Sequence, residues 1–256
     1  MDNLTWKKTL ALGRLSRREM LALMGTAAAA LAGYGCPRYR SEGAIRAQAA
    51  ELTAGTIPTC IVRPQQTEGP FFVDEKLHRS DIRSDPSDGS MRQGVPVRLA
   101  FQVSRIVDGS CAPLGNAIVH VWQCDAVGIY SDVRDMSGDT RGKKFLRGHQ
   151  VTNTSGTAEF LTIYPGWYRG RTVHIHFKIR NDPVSKRAHE FTSQLYFDET
   201  ITDHVHKQAP YNTKGRRTTT NDTDLLFRHR GNRLMLALTK DAQGYAAKFD
   251  IGLQIT

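Results

Sequence analysis

Tyr164-Pro165-Gly166-Trp167-Tyr168-Arg169-Gly170-Arg171-Thr172-Val173-His174-Ile175-His176-Phe177 is the stretch whose reading decides the fold. From Val173 onward the run alternates. Val173, Ile175, Phe177 and Ile179 share one face of a strand, and His174, His176 and Lys178 take the other, because strand side chains repeat every second residue. At about 3.3 Å per residue the two histidine Cα atoms lie roughly 6.6 Å apart, within reach of one metal ion. A bare His-x-His is a weak signal, since a strand histidine more often packs or meets solvent. Tyr168 and Arg171 in the same run strengthen it, as does Tyr130, read as ending an earlier strand at Gly128-Ile129-Tyr130. Two phenols with two imidazoles suit a hard, oxidised ion such as ferric iron, whereas zinc more often recruits cysteine, histidine or carboxylate.

The same alternation recurs on both sides of this run. Val95, Val97, Leu99, Phe101 and Val103 alternate until Asp108-Gly109. Further strands are expected over 117–125, 146–151, 157–163, 173–179 and 190–197, and at the end through Tyr245, Ala247, Phe249, Ile251 and Leu253. Short strands separated by Gly, Pro, Asn and Asp predict an all-β fold, a β-sandwich of mixed and antiparallel strands with long loops. Residues 57–96 read as an ordered arm followed by a loop, with turns at Pro64 and Gly69-Pro70. Residues 198–233 read as a polar, solvated loop with a weak helical signal at 221–227. The second His-x-His, His204-Val205-His206, lies there without apolar alternation and is read as solvated. Tyr164 and Tyr196 compete as metal phenols, Tyr164, before a proline at a strand end, being read as packing; His78, His120, His149, His189 and His229 are read as surface or core.

The chain of 256 residues has a formal net charge of +10. Residues 1–49 carry eight Lys/Arg and three Asp/Glu, leaving 27 basic and 22 acidic residues in the remainder. With no basic cluster interleaved with aromatics, nucleic acid is not an expected partner. Basic residues, then Ser16-Arg17-Arg18, then a small apolar run of about 16 residues, resemble a twin-arginine export signal; the run is shorter than the roughly 20 residues of a membrane span. Residues 1–49 are therefore expected to be a signal, cleaved near Ala49, and 50–256 the domain, with a periplasmic or extracellular destination. Cleavage there leaves Cys60, Cys111 and Cys124, and an oxidising destination permits one disulfide among them, pairing undetermined.

Four segments in order resemble the intradiol ring-cleavage dioxygenase family, in its secreted single-domain branch. They are Gln66-Thr67-Glu68-Gly69-Pro70-Phe71-Phe72, the run from Ala117 to Tyr130, the run from Tyr164 to Phe177, and Ser193-Gln194-Leu195-Tyr196-Phe197. The resemblance implies Fe(III) as cofactor, held by Tyr130, Tyr168, His174 and His176. It implies Arg171, Gln194 and Tyr168 as the catalytic set and Thr67, Glu68, Gly69 and Pro70 as pocket lining. The implied reaction opens a catechol-type diol with O2 between its two hydroxyls, giving a cis,cis-muconate-type diacid. Two features depart from the protocatechuate and catechol enzymes: the short spacing between Tyr168 and His174, and Thr172-Val173 where those enzymes usually place proline and alanine. Other readings of the same residues are an exported β-sandwich module that binds aromatics or glycans without turnover, and a zinc or copper site using the histidines alone.

Overall fold

The computed structural model describes residues 60–135, 138–181 and 189–255. The expected signal at 1–49 and its cleavage point lie outside these residues. The elements are β1 (Pro96–Val107), β2 (Ser110–Pro113), β3 (Ile118–Trp122), β4 (Arg134–Asp135), β5 (Gly138–Asp139), β6 (Arg147–Val151), β7 (Thr157–Ile163), β8 (His174–Arg180), β9 (Glu190–Tyr196), α1 (Glu199–His206), α2 (Leu225–Arg228), β10 (Thr239–Asp241) and β11 (Gly244–Gln254). Short 3-10 turns occupy Tyr211–Lys214 and Gly231–Leu234.

The all-β expectation holds. One sheet runs β10-β11-β1-β2, with β7 also on β1; the other runs β6-β3-β8-β9; β4 and β5 form a separate ribbon. The β1–β11 pair is parallel, with Val97 opposite Tyr245 and Phe101 opposite Phe249, and the other ladders are antiparallel. The core lies where the two sheets face each other. Phe177 of one sheet meets Phe101 and Phe249 of the other at ring separations of 5.2 and 5.5 Å. These rings are the inward-facing half of the alternation seen in β1, β8 and β11.

β8 departs from a half-buried strand, because both its faces are buried. Ile175, Phe177 and Ile179 fill the sandwich core. His174, His176 and Lys178, on the opposite face, are also buried, beneath the arm before β1 and the loop after β3. Lys178 is buried as a charge and pairs with Glu68 and with Glu190, the latter at 2.9 Å; paired carboxylates are what make such burial tolerable.

Several sequence expectations are corrected. The strand expected over 117–125 covers only Ile118–Trp122, so Tyr130 sits in the loop that follows rather than at a strand end. The turn at Asp125 explains this: its Oδ1 accepts from the Val127 and Ile129 amides, an Asx-type competitor to the ladder. The 198–233 stretch is not simply a solvated loop. It holds α1, capped by Asp198 Oδ1 accepting from Thr200 and Ile201, and α2, which keeps only part of the 221–227 signal. The short strands β2, β4, β5 and β10 carried too few alternating residues to be read. The disulfide left open joins Cys60 to Cys111, tethering the arm to β2, and Cys124 is a buried free thiol.

Candidate metal centre

The β8 alternation brings the two imidazoles together as expected, with Nε2 of His174 and Nε2 of His176 3.1 Å apart. The Tyr168 hydroxyl lies 3.1 Å from the same His174 Nε2. The Tyr130 ring is 5.7 Å from that of Tyr168 and 6.4 Å from that of His176. All four side chains named from the sequence therefore converge on one point. No group of three His, Cys, Asp or Glu side chains suited to a metal exists among the described residues, so a metal here depends on the phenols.

Each group arrives by a local device. Pro165-Gly166 ends β7 and turns the chain toward Tyr168. Tyr130 comes from the loop opened by Asp125, whose Gly128 has φ of +82° and lies so close to the Trp167 carbonyl that a Cβ would meet it at 2.2 Å. Only glycine serves there, and the two tyrosine-bearing loops are thereby packed against one another. His174 Nδ1 lies 2.6 Å from the Thr172 carbonyl. A carbonyl only accepts, so Nδ1 carries the proton and Nε2 turns its lone pair toward the shared point.

The electrostatics suit a cation. Burial first, and then the Arg171 charge, lowers the His174 imidazole to about 3; burial and then His174 hold His176 well below its usual range. Both stay neutral, as metal ligands must. Burial pushes both tyrosine hydroxyls up, Tyr130 furthest, with Tyr168 the next cause of its shift. The Tyr130 hydroxyl is buried with no hydrogen-bond partner, an arrangement that costs about 1–3 kcal/mol unless something binds there. Nitrogen and oxygen ligands about 2.1 Å from one ion are themselves about 3.0–3.4 Å apart, which matches the separations around His174 Nε2. The donor set thus fits a hard cation.

Arg171 stands beside this point, with Nη1 3.4 Å from His174 Nε2. Its Nη2 donates to Gln194 Oε1 at 2.6 Å and its Nε to Asp224 Oδ2 at 2.9 Å. Gln194 also accepts from the Tyr196 hydroxyl, and its Nε2 donates to the Thr67 carbonyl. Its amide is therefore spent on holding neighbours. Of the four expected pocket residues, Gly69 touches the centre: with φ of +71°, it leaves only 3.2 Å between a would-be Cβ and His176 Cε1. Thr67 and Pro70 lie exposed, and Glu68 is turned to Lys178. Two cavities of about 650 Å³ each lie elsewhere, one against β1, β7 and β11 and one beside α1.

Sequence reasoning missed four contributors. Phe71 stacks on Tyr130 at 4.5 Å, and Trp122 lies parallel to His176 at 5.0 Å with a 7° tilt. Buried Arg147 donates to the Phe71 carbonyl and to Ser131, clamping the arm to the Tyr130 loop. Asp224 meets Arg171. Phe71 and Trp122 were inside the quoted segments; Asp224 was legible only as an acid preceding Leu225-Leu226-Phe227, a helix-cap signal.

The chain resembles known proteins over most of this fold. The dioxygenase family profile matches residues 67–254. The protocatechuate 3,4-dioxygenase beta chain of Burkholderia cepacia is 31% identical over 137 residues, covering 50% of this chain and 56% of that protein. The catechol 1,2-dioxygenase of Candida albicans is 28% identical over 148 residues, covering 50% of this chain and 45% of that one. The chain thus spans about half the length of these curated relatives. An intradiol ring-cleavage dioxygenase from Tetranychus urticae superposes with a TM-score of 0.65 at 29% identity, covering 76% of this chain and 95% of the other. With the profile match spanning most of the two sheets, the chain belongs to the intradiol ring-cleavage dioxygenase family.

Proposed function

We propose that the protein is an Fe(III)-dependent intradiol dioxygenase that opens catechol-type diols with O2 to cis,cis-muconate-type diacids. The observation that carries this reading is the convergence of two phenols and two neutral imidazoles beside a half-buried guanidinium. Tyr130, Tyr168, His174 and His176 would hold the iron, with His174 oriented by the Thr172 carbonyl and His176 by the Trp122 face. Ferric iron supplies the charge that keeps both phenols ionised and the redox chemistry that makes a bound diol reactive toward O2.

The remaining work falls to the chain's own residues. Tyr168 is less buried than Tyr130, so it is the phenol able to swing aside. Its Oη accepts a proton from the entering diol. Arg171 presents Nη1 where negative charge grows on the ring, help of the oxyanion-hole kind. Gln194 holds Arg171 and Thr67 together. Phe71 and Gly69 close the arm side and keep water from the His176 edge.

Residues 1–49 are proposed as a twin-arginine export signal, making the mature protein periplasmic or extracellular. The Cys60–Cys111 disulfide supports an oxidising destination. Fractionating cells that express the full chain, and the Arg17→Lys/Arg18→Lys variant, tests this; retention of both inside the cell would refute it.

Purified iron-loaded protein is expected to show a visible phenolate-to-iron band, lost in Tyr130→Phe and altered in Tyr168→Phe. With a panel of diols in an oxygen electrode it should consume one O2 per ring and yield diacids by mass. A colourless protein after iron loading, extradiol products, or stoichiometric diol binding with no product in air would each defeat the reading.

A further inference from the structure

Asp224 is a buried carboxylate with four donors. Its Oδ1 accepts from the Leu226 and Phe227 amides at 2.7 and 2.9 Å, capping α2. Its Oδ2 accepts from the Thr172 amide at 2.7 Å and from Arg171 Nε at 2.9 Å. Only a carboxylate takes two donors on each oxygen without offering one back. One residue thus joins the α2 cap to the entry of β8, two positions before His174. Burial alone would raise this carboxyl, but the Phe227 and Thr172 amides and the Arg171 charge overcome it and hold it ionised.

The consequence falls on Arg171. Its Nε is held by Asp224 and its Nη2 by Gln194, two neighbouring nitrogens on one side of the guanidinium. A planar group pinned at two points cannot turn, and the edge left over, Nη1, is the one facing His174 Nε2. We propose that Asp224 is a positioning residue that fixes, through Arg171 Nε, the guanidinium edge meeting a diol bound at the metal centre. This rests on the function proposed above. An ångström of play at such a group is enough to cost a large part of its effect, and losing the carboxylate would also leave the half-buried guanidinium short of its counter-charge.

The test is a double-mutant cycle on the iron-loaded full chain. Asp224→Asn presents one acceptor and one donor end, so either the cap or the Arg171–Thr172 pair meets an N–H2 group. Asp224→Ser keeps a capping oxygen for α2 but is too short for Arg171, and serves if the first variant folds poorly. Iron content and the visible band should match wild type. In each variant kcat/KM should fall roughly 10–100-fold. The affinity for 4-nitrocatechol, titrated by absorbance under nitrogen, should weaken in the same direction. On an Arg171→Gln background the same substitutions should cost no more than about twofold, because their effect runs through the missing guanidinium. A merely structural role would lower activity and the melting temperature of the metal-free proteins alike in both backgrounds, whereas loss of the α2 cap by itself lowers only the melting temperature. Equal losses of activity in the presence and absence of Arg171 would overturn the role of Asp224. A wild-type protein that takes up no iron and shows no band would instead fail the earlier reading, and that is seen before any variant is compared.

Discussion

The chain contains the tripeptide pattern His-x-His twice, and the two copies end in different chemistry. In β8, His174 and His176 share one strand face and bring their Nε2 atoms to 3.1 Å. In α1, the spacing of two turns the side chains about 200° apart around the axis. His204 is exposed, while His206 turns into the body, its Nε2 donating to the Pro165 carbonyl and its ring stacked 5.2 Å from Tyr211. The pattern is identical; the secondary structure decides whether the two imidazoles meet at one point or face apart. The partners differ as well, since the β8 pair meets Tyr168, Tyr130 and Arg171, whereas His206 of α1 meets a backbone carbonyl and a packing ring.

The sharpest way to break this contrast is alanine scanning of both pairs. His176→Ala should abolish the visible band and reduce iron content and oxygen uptake beyond the roughly 10–100-fold that loss of a supporting group costs, whereas His204→Ala should leave all three at wild-type values. Equal effects at the two positions, read by metal analysis and oxygen electrode, would dissolve the distinction. A smaller effect is expected at Gly69, which crowds the β8 pair from the arm. Gly69→Ala places a methyl 3.2 Å from His176 Cε1 at a backbone angle alanine resists, and kcat/KM should drop on the order of tenfold, equivalent to about 1.4 kcal/mol, with iron retained.

His206→Ala addresses stability rather than catalysis. Losing its hydrogen bond and ring contact should destabilise by about 1–2 kcal/mol, a few degrees in melting temperature, while the iron-loaded protein keeps its band. A lost band would mean that the α1 copy reaches the centre through Pro165.

The smallest effect involves a third environment, His120 in β3. Burial first, then Arg180, lowers its imidazole to about 4; Asp74 opposes this, and His149 and Lys178 add to it. The folded value lies below the ordinary value of about 6.5, so the folded state binds fewer protons. The stability this contributes is fully present above about pH 6.5 and is lost as pH falls through about 4. Melting temperature should decline over that window, and less steeply in His120→Phe, which keeps a ring beside Phe72. Parallel profiles for the two proteins would remove His120 as a cause.

Legibility followed the range of the interactions. The long strands β1, β7, β8 and β11 were readable because each carries several alternating residues whose inward half forms the core. The short strands were not, because two to four residues do not establish a period. α1 was missed because its polar surface hides Thr202 and Val205, the two residues it buries. The four converging side chains were readable because each lies in a segment resembling the family. Trp122, Phe71 and Arg147 were not singled out, since an aromatic or an arginine in sequence gives no sign of which ring or carbonyl it meets.

Taken by itself, the amino-acid order determined the alternation of β8, hence the shared face of His174 and His176, and the sandwich class, because a period of two is a property of the extended chain alone. Only the tertiary structure decided that Tyr130 arrives from a loop, that Cys60 pairs with Cys111, that both faces of β8 are buried, and that Asp224 grips Arg171. The Cys60–Cys111 and Arg171–Asp224 contacts join residues 51 and 53 positions apart, and such separations are closed by the packing of the two sheets, the arm and the loops, which no local period encodes.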